Sequence, residues 1–238
     1  MSPNRLRQMS LNRRRLLLFD IDGTLITSGG AGEGALMDAM QQRFGIEEDL
    51  EGITIAGATD ALIARMMLEK NGLAASSENI TALLDAYLSF LGQRLSRHAG
   101  HVLPGIIGLL DRLRQREDCV LALLTGNLVR GAEVKLSHYG VWEYFEFGAF
   151  ADDHHDRNEL TRFARARALE KHGDEFSPEN IFVIGDTPRD IECGKVVGAR
   201  TVAIATGNYS RAELAAHHPD FLFDDLSDTE QVIEILLK

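Results

Sequence analysis

Two aspartates, Asp20 and Asp22, directly follow an apolar run in the stretch LLLFDIDGTL at residues 16–25. Apolar runs of this length are typical of buried parallel strands, and a carboxylate buried at the end of such a strand is costly unless it is paired. Two carboxylates at this point therefore indicate a bound cation or a reacting group. The alternative is an ordinary strand end, with Asp22 and Gly23 as the turn pair.

Two later apolar runs end in polar residues of a similar kind. The run LALLTGN ends in Thr125, Gly126 and Asn127. The run IFVIGDTPRD ends in Asp186, with Asp190 one helical turn later. Thr125 could also be a helix cap and Asp186 part of a simple turn. Ligands of open α/β sheets bind beyond the carboxyl ends of the strands, so the recurrence of polar residues there favours a site.

Between these two runs lies the loop ADDHHDR, which ends in Arg157. Arg157 would bring a permanent positive charge to the strand ends. Lys171 is the alternative cation, but it lies at the far end of the helix predicted over residues 157–171. Residues 152–156, DDHHD, have two interpretations: a second metal site, or a solvated loop beside the site.

These residue types together suit phosphoryl transfer, which depends on positioning and charge neutralisation. Asp20, Asp22 and Asp186 offer the oxygen ligands that suit Mg²⁺. Thr125 and the amides around Gly126 and Asn127 can hold phosphate oxygens. One carboxylate can act as a nucleophile, and a second acid nearby can protonate the leaving oxygen and then deprotonate water.

Six apolar runs have the length of strands, and helical patterns separate the later ones. The runs cover residues 16–21, 119–124, 145–150, 181–185, 201–205 and 221–223. The helical patterns cover residues 105–116, 128–139, 157–171, 189–197, 211–216 and 228–237. This alternation predicts an α/β fold, with a Rossmann-like parallel sheet covered by helices on both faces.

Residues 27–101 carry helical patterns and no strand-like run. We therefore predict an α-helical cap domain over residues 27–101, inserted into a core domain made of residues 16–26 and 102–238. Residues 1–15 are predicted to be a disordered basic tail.

Composition disfavours several classes of protein. The chain of 238 residues is 45% apolar and has a formal net charge of −11, although five arginines lie in its first fifteen residues. This acidity disfavours nucleic acid as a partner. No apolar stretch approaches the roughly 20 residues that a membrane helix needs. We expect a cytoplasmic protein with Cys119 and Cys193 reduced and buried, and either a monomer or a homodimer.

The chain from Leu16 onward resembles the haloacid dehalogenase superfamily, and specifically its phosphatase branch with a helical cap inserted after the first strand. DIDGTL matches the first motif of that family, LLTGN the second and GDTPRD the fourth, in the same order and with similar spacing. The third motif is a Lys or Arg before a helix, often followed by proline. Its best match here is Arg157 in DRNEL, which lacks the proline.

The resemblance implies a role for each matching residue. Asp20 would be the nucleophile, and Asp22 the general acid and base. Thr125 would bind the phosphoryl group. Asp20, Asp186 and Asp190 would hold Mg²⁺, together with the backbone carbonyl of Asp22.

The cap segment TIAGATDALI resembles the Gly-x-Thr-Asp stretch of phosphoglycolate phosphatases and their relatives. Thr59 and Asp60 are the predicted substrate contacts from this segment, while the alternative for Thr59 is that it caps the cap helix. Where those relatives commonly carry Arg, this chain has Ala58. The substrate of those enzymes therefore does not transfer directly.

The expected function is the hydrolysis of a small phosphorylated metabolite, a phosphate monoester, through an aspartyl-phosphate. Asp22 favours this reaction over dehalogenation, because dehalogenases of the family lack the second acid. Two alternatives remain: a sugar phosphomutase of the same superfamily, and a non-catalytic protein that binds a phosphate ligand.

Overall fold

The computed structural model describes residues 14–173 and 175–237. Within them lie eight strands: β1 (Arg15–Phe19), β2 (Ile26–Thr27), β3 (His101–Val102), β4 (Cys119–Leu124), β5 (Gly148–Ala149), β6 (Ile181–Gly185), β7 (Arg200–Ile204) and β8 (Phe221–Phe223). The same residues form nine α-helices: α1 (Ala31–Phe44), α2 (Asp60–Lys70), α3 (Ser77–Leu95), α4 (Ile106–Arg114), α5 (Val129–His138), α6 (Arg157–His172), α7 (Pro188–Val196), α8 (Arg211–Ala216) and α9 (Thr229–Leu237).

Six strands form one parallel sheet in the order β5-β4-β1-β6-β7-β8. The first strand of the chain is therefore central, between β4 and β6. Phe19 lies opposite Leu123 on one side and Ile184 on the other. This register brings the carboxyl ends of β1, β4 and β6 to the same edge of the sheet.

Helices cover both faces of the sheet, as the alternation of elements predicts. Leu17 and Phe19 of β1 pack in the apolar cluster that includes residues of α4, α5 and α9. Leu16 and Leu18 point to the opposite face and pack in the cluster that includes residues of α6 and α7. Because both faces are buried, these strands are apolar throughout, and the expectation of a Rossmann-like α/β fold is confirmed.

The helical insert, defined here as α1, α2 and α3, has an apolar cluster of its own. Met40, Met67 and Leu91 are among its fully buried side chains, one from each helix. The chain enters and leaves the insert through β2 and β3, which pair antiparallel. The expectation of no strand in residues 27–101 was therefore wrong at both ends, because two-residue strands carry no periodicity that a sequence could show.

Two other expectations about the sheet were wrong in detail. The strand expected over residues 145–150 is only Gly148–Ala149, preceded by the 3-10 helix Trp142–Tyr144. Phe145 owes its burial to packing against the ring of Phe19, at 5.9 Å between centroids, rather than to strand pairing. Arg15 begins β1, and the remainder of the predicted tail lies outside the described residues, except for Arg14.

Both cysteines are free and buried, as expected. Among the described residues, no helix is both long enough and apolar enough to cross a lipid bilayer.

Phe182 of β6, which packs in the same cluster as Leu17 and Phe19, supplies a test of this core. Phe182 is fully buried, so Phe182→Ala should lower the free energy of unfolding by about 3–5 kcal/mol, through lost burial and the cavity left behind. Urea denaturation measures this change. The control is Val196→Ala, because Val196 is 63% exposed and should change stability by no more than about 0.5 kcal/mol. Equal effects of the two substitutions would contradict the core described here.

Candidate active site

The turn after β1 places Asp20 and Asp22 at the edge of the sheet. The carbonyl of Ile21 accepts hydrogen bonds from the amides of Leu25 and Ile26, at 2.9 and 3.1 Å, which closes the turn. Gly23 has a φ of 81°, and a Cβ there would clash with the Asp186 carboxylate. Asp22 and Gly23 thus form a turn, as the alternative of an ordinary strand end predicts. The same turn also brings the chain against Asp186.

The residues after β4 lie beside this turn. Thr125 is fully buried, and Asn127 donates from Nδ2 to Thr125 Oγ1 and to Asp22 Oδ2, both at 2.9 Å. Thr125 does not cap the following helix: the cap residue of α5 is Leu128. The carboxylates of Asp60 and Asp152 accept from the first amides of that helix, at 2.7 Å each. Thr125 is therefore left to face the site.

Arg157 is the cation that reaches the site. Its helix begins there because Asp156 caps it, accepting from Asn158 N at 3.0 Å. Arg157 Nη2 lies 3.0 Å from Asp20 Oδ1 and also pairs with the carboxylate of Asp190. Lys171 is exposed near the other end of α6, over the ring of Phe147. The geometry favours Arg157 for the third-motif position.

Asp186 and Asp190 follow β6. Asp186 is buried and accepts from Thr24 Oγ1 at 3.1 Å. Asp190 closes a capping box at the start of α7, where its Oδ2 accepts from Thr187 N at 3.0 Å and from Thr187 Oγ1 at 2.6 Å. Its Oδ1 pairs with Arg157, so both carboxylate oxygens of Asp190 already have protein partners.

Asp20, Asp186 and Asp190 form the one group of three potential metal ligands in the described part of the chain, with one oxygen from each within 4.8 Å of the others. Burial raises the pKa of the Asp20 carboxyl to about 6, although Arg157 opposes the shift. Burial and the charges of Asp190 and Asp20 also raise the pKa of Asp186. One guanidinium does not balance three buried carboxylates, and a divalent cation bound by carboxylate oxygens would fit this imbalance.

Lys135 is a site residue that the sequence analysis missed. Its Nζ donates to Asp22 Oδ2 at 2.6 Å and to Asn127 Oδ1 at 2.7 Å. Burial is the largest single influence and would lower the pKa of Lys135, but Asp22, Tyr87 and Asp60 together outweigh it, so the pKa lies above its usual range. Helical spacing is the sequence signal that could have identified Lys135, because it lies four residues after Gly131 and therefore on the same, buried face of α5.

The insert contacts the site through the segment that contains Thr59 and Asp60. Thr59 caps α2 and donates from Oγ1 to the His155 carbonyl at 3.0 Å. Asp60 donates from its amide to the Gly126 carbonyl at 2.7 Å, and burial raises the pKa of its side chain to about 6. Thr59 thus caps a helix, as the alternative interpretation predicts. That Thr59 and Asp60 contact the substrate stays a prediction.

The acids of residues 152–156 make protein contacts. Asp153 binds Arg167 through both oxygens at 2.6 Å, Asp152 accepts from the start of α5, and Asp156 caps α6. These contacts, with Asp152, His155 and Asp156 exposed, favour the solvated loop beside the site over a second metal site.

A cavity of about 260 Å³ lies between the strand ends and the insert. It is lined by residues from both sides, including the site residues Asp20, Asp22, Asp60, Thr125, Gly126, Asn127, Lys135, Arg157 and Asp186. The predicted site residues thus converge on one cavity, except Thr59 and Asp190, which do not line it.

The model of the haloacid dehalogenase-like hydrolase family matches residues 17–195. The chain belongs to this family of hydrolases, as the three sequence motifs predict. The probable phosphatase IndB of Dickeya dadantii is 25% identical over 231 residues, 94% of this chain and 95% of that protein.

Two further comparisons agree with this assignment. A phosphoglycolate phosphatase of Vibrio parahaemolyticus is 24% identical over 229 residues, which cover 93% of this chain and 96% of the relative. The crystal structure of CbbY from Rhodobacter sphaeroides in complex with phosphate has the same fold. The two structures match with a TM-score of 0.73 at 20% identity, and the match covers 90% of this chain and 96% of the CbbY chain.

The close approach of the insert to Gly126 can be tested directly. A Cβ at Gly126 would clash with the Ala58 carbonyl oxygen, so Gly126→Ala should displace the insert segment and lower phosphate-ester hydrolysis at least tenfold. The control is Gly92→Ala on α3, where a Cβ would meet only Val134 Cγ1 at 4.0 Å. Full activity of the Gly126→Ala variant would contradict this packing.

Proposed function

We propose that the protein is a Mg²⁺-dependent phosphatase that hydrolyses a small phosphate monoester through an aspartyl-phosphate on Asp20. The observation that carries this proposal is the placement of Asp20 in one cavity with Thr125, Arg157 and Asp186. A nucleophile, a phosphate-binding hydroxyl, a cation and a metal-binding carboxylate are the components that phosphoryl transfer requires.

Mg²⁺ would be held by the carboxylates of Asp20 and Asp186 and by the backbone carbonyl of Asp22, with water and substrate phosphate completing the ligands. When bound, the ion would neutralise charge on the phosphoryl oxygens. The sequence analysis also predicts Asp190 as a ligand. Its contacts with Thr187 and Arg157 favour a different role, in which Asp190 orients Arg157 toward Asp20.

Asp20 would act first. A carboxylate oxygen of Asp20 forms a bond to phosphorus while the bond from phosphorus to the leaving oxygen breaks. A water molecule then attacks the phosphorus, the aspartyl oxygen leaves, and inorganic phosphate and free Asp20 are produced. Thr125 Oγ1 and the amides of Gly126 and Asn127 would hold the phosphoryl oxygens during both steps.

Asp22 would transfer the proton in each step. Its side chain is 38% exposed, unlike that of Asp20, and it lines the cavity. It protonates the leaving oxygen in the first step and takes a proton from the attacking water in the second. Lys135 and Asn127 both bond to Asp22 Oδ2, which leaves Oδ1 available for this transfer.

Relatives with phosphatase names support the proposal. The Dickeya relative is named probable phosphatase IndB, the Vibrio relative is named phosphoglycolate phosphatase, and the CbbY structure is a complex with phosphate. The substrate of this chain is proposed only as a small phosphorylated metabolite, in keeping with a cavity of about 260 Å³.

The nucleophile and the metal can be tested with p-nitrophenyl phosphate. We expect release of p-nitrophenol to need Mg²⁺, to stop on chelation with EDTA, and to fall at least a thousandfold in Asp20→Asn, which keeps the shape but removes the nucleophile. Asp111→Asn, an exposed acid on α4 outside the cavity, is the control and should be fully active. Equal release with and without Mg²⁺, or an active Asp20→Asn variant, would contradict the proposal.

The role of Lys135 gives a separate prediction. Lys135→Met keeps the volume but frees Asp22, so kcat should fall about tenfold with little change in KM. The decrease in kcat should be larger for an alkyl phosphate than for p-nitrophenyl phosphate. An alkoxide leaving group needs a proton from Asp22, whereas p-nitrophenolate leaves without one.

The matched control is Lys195→Met, since Lys195 is exposed and its Nζ donates to the His217 carbonyl, away from the cavity. If Lys135→Met reduced activity on both substrates equally, in proportion to lost folded protein, Lys135 would be a structural residue only. Circular dichroism and urea denaturation of both variants give the folded fraction.

A further inference from the structure

We propose that the substrate is the phosphate ester of an alcohol whose leaving group is neutral or positively charged, and that the cavity rejects esters of hydroxy acids. This proposal rests on the proposed phosphatase function, because it concerns the part of the substrate that leaves. The phosphoryl group would lie at the strand ends beside Asp20 and Thr125, so the leaving group would extend toward the insert.

The described residues that line the cavity include two cationic side chains, Lys135 and Arg157. Both are already paired with carboxylates of the core. Lys135 binds Asp22 and Asn127, and Arg157 binds Asp20 and Asp190. A carboxylate on the leaving group would therefore find no unpaired side-chain cation among these lining residues.

The insert side of the cavity carries negative charge instead. It includes Glu33, in the first turn of α1, and Asp60, at the start of α2. Among the described contacts, Glu33 has neither a hydrogen bond nor an ion pair, whereas Asp60 is bonded to Leu128 N. Glu33 is thus free to bind a hydroxyl or ammonium group and would repel a second carboxylate.

The N-terminus of α1 opposes this effect and must be weighed against it. Gly30 caps this helix without a side-chain hydrogen bond, and a helix N-terminus carries roughly half a positive charge. Glu33 lies in that same first turn and carries a full negative charge, so it exceeds the partial charge of the helix end. The net charge on the insert side of the cavity therefore remains negative.

Three substrates with two-carbon leaving groups isolate the effect of charge: 2-phosphoglycolate, 2-hydroxyethyl phosphate and O-phosphoethanolamine. With Mg²⁺ present, we expect kcat/KM for the hydroxyl and ammonium compounds to exceed that for 2-phosphoglycolate at least tenfold. If none of the three is turned over, their inhibition of p-nitrophenyl phosphate hydrolysis gives the ranking instead. Equal or better use of 2-phosphoglycolate would overturn the proposal.

A charge-neutral variant tests the residue held responsible. Glu33→Gln should raise kcat/KM for 2-phosphoglycolate relative to O-phosphoethanolamine at least fivefold. Glu78→Gln is the matched control, because Glu78 is also a first-turn glutamate of the insert and does not line this cavity. An unchanged ratio in Glu33→Gln, or the same change in both variants, would overturn the assignment to Glu33.

The two proposals fail in different ways. Absence of Mg²⁺-dependent hydrolysis of p-nitrophenyl phosphate would contradict the phosphatase function and this proposal with it. Mg²⁺-dependent hydrolysis together with a preference for 2-phosphoglycolate would leave the function intact and contradict only the charge selectivity.

Discussion

The buried contact of Arg157 with Asp20 and Asp190 is the interaction on which the rest of the site depends. Arg157 begins α6, Asp20 follows β1, and Asp190 lies in the first turn of α7, so one guanidinium joins three elements of the core. Like charges can be buried this close together only where opposite charge compensates them. The arginine therefore permits Asp20 and Asp190 to approach each other, and the remaining negative charge of these two carboxylates and Asp186 makes the cluster suited to a divalent cation.

The same residues also tie the helical insert to the core. Arg157 Nη1 donates to the Gly57 carbonyl at 3.2 Å, and the Asp60 amide donates to the Gly126 carbonyl at 2.7 Å. These bonds run from the insert to the arginine and to the loop after β4. The position of the insert and the geometry of the proposed catalytic groups are thereby linked, and in the proposed reaction the charges of the insert would face the leaving group. Under the two proposals, the selectivity of the cavity would depend on the insert, and its chemistry would depend on the residues that follow the strands of the sheet.

Sequence reasoning predicts the parts of this protein that depend on local pattern. The central strands β1, β4 and β6 are buried on both faces and read as apolar runs, so the polar residues at their ends, Asp20, Thr125 and Asp186, stand out. Lys135 and the pairing of Asp190 with Arg157 could not be found in this way, because they depend on how helices pack against the loops. The β2–β3 pair was missed for a related reason, since it is formed only when the chain segments on either side of residues 28–100 meet and pair.

The central claim is that Asp20 carries the phosphoryl group between two chemical steps, and it is tested most directly by locating that group on the chain. The protein would be mixed with a phosphate monoester and Mg²⁺, quenched in acid within milliseconds, digested and examined by mass spectrometry. The account predicts a transient phosphoryl group on the peptide that contains Asp20, lost on treatment with hydroxylamine and absent from Asp20→Asn. Phosphate release with no such peptide at any quench time, or a phosphoryl group on another residue, would contradict it.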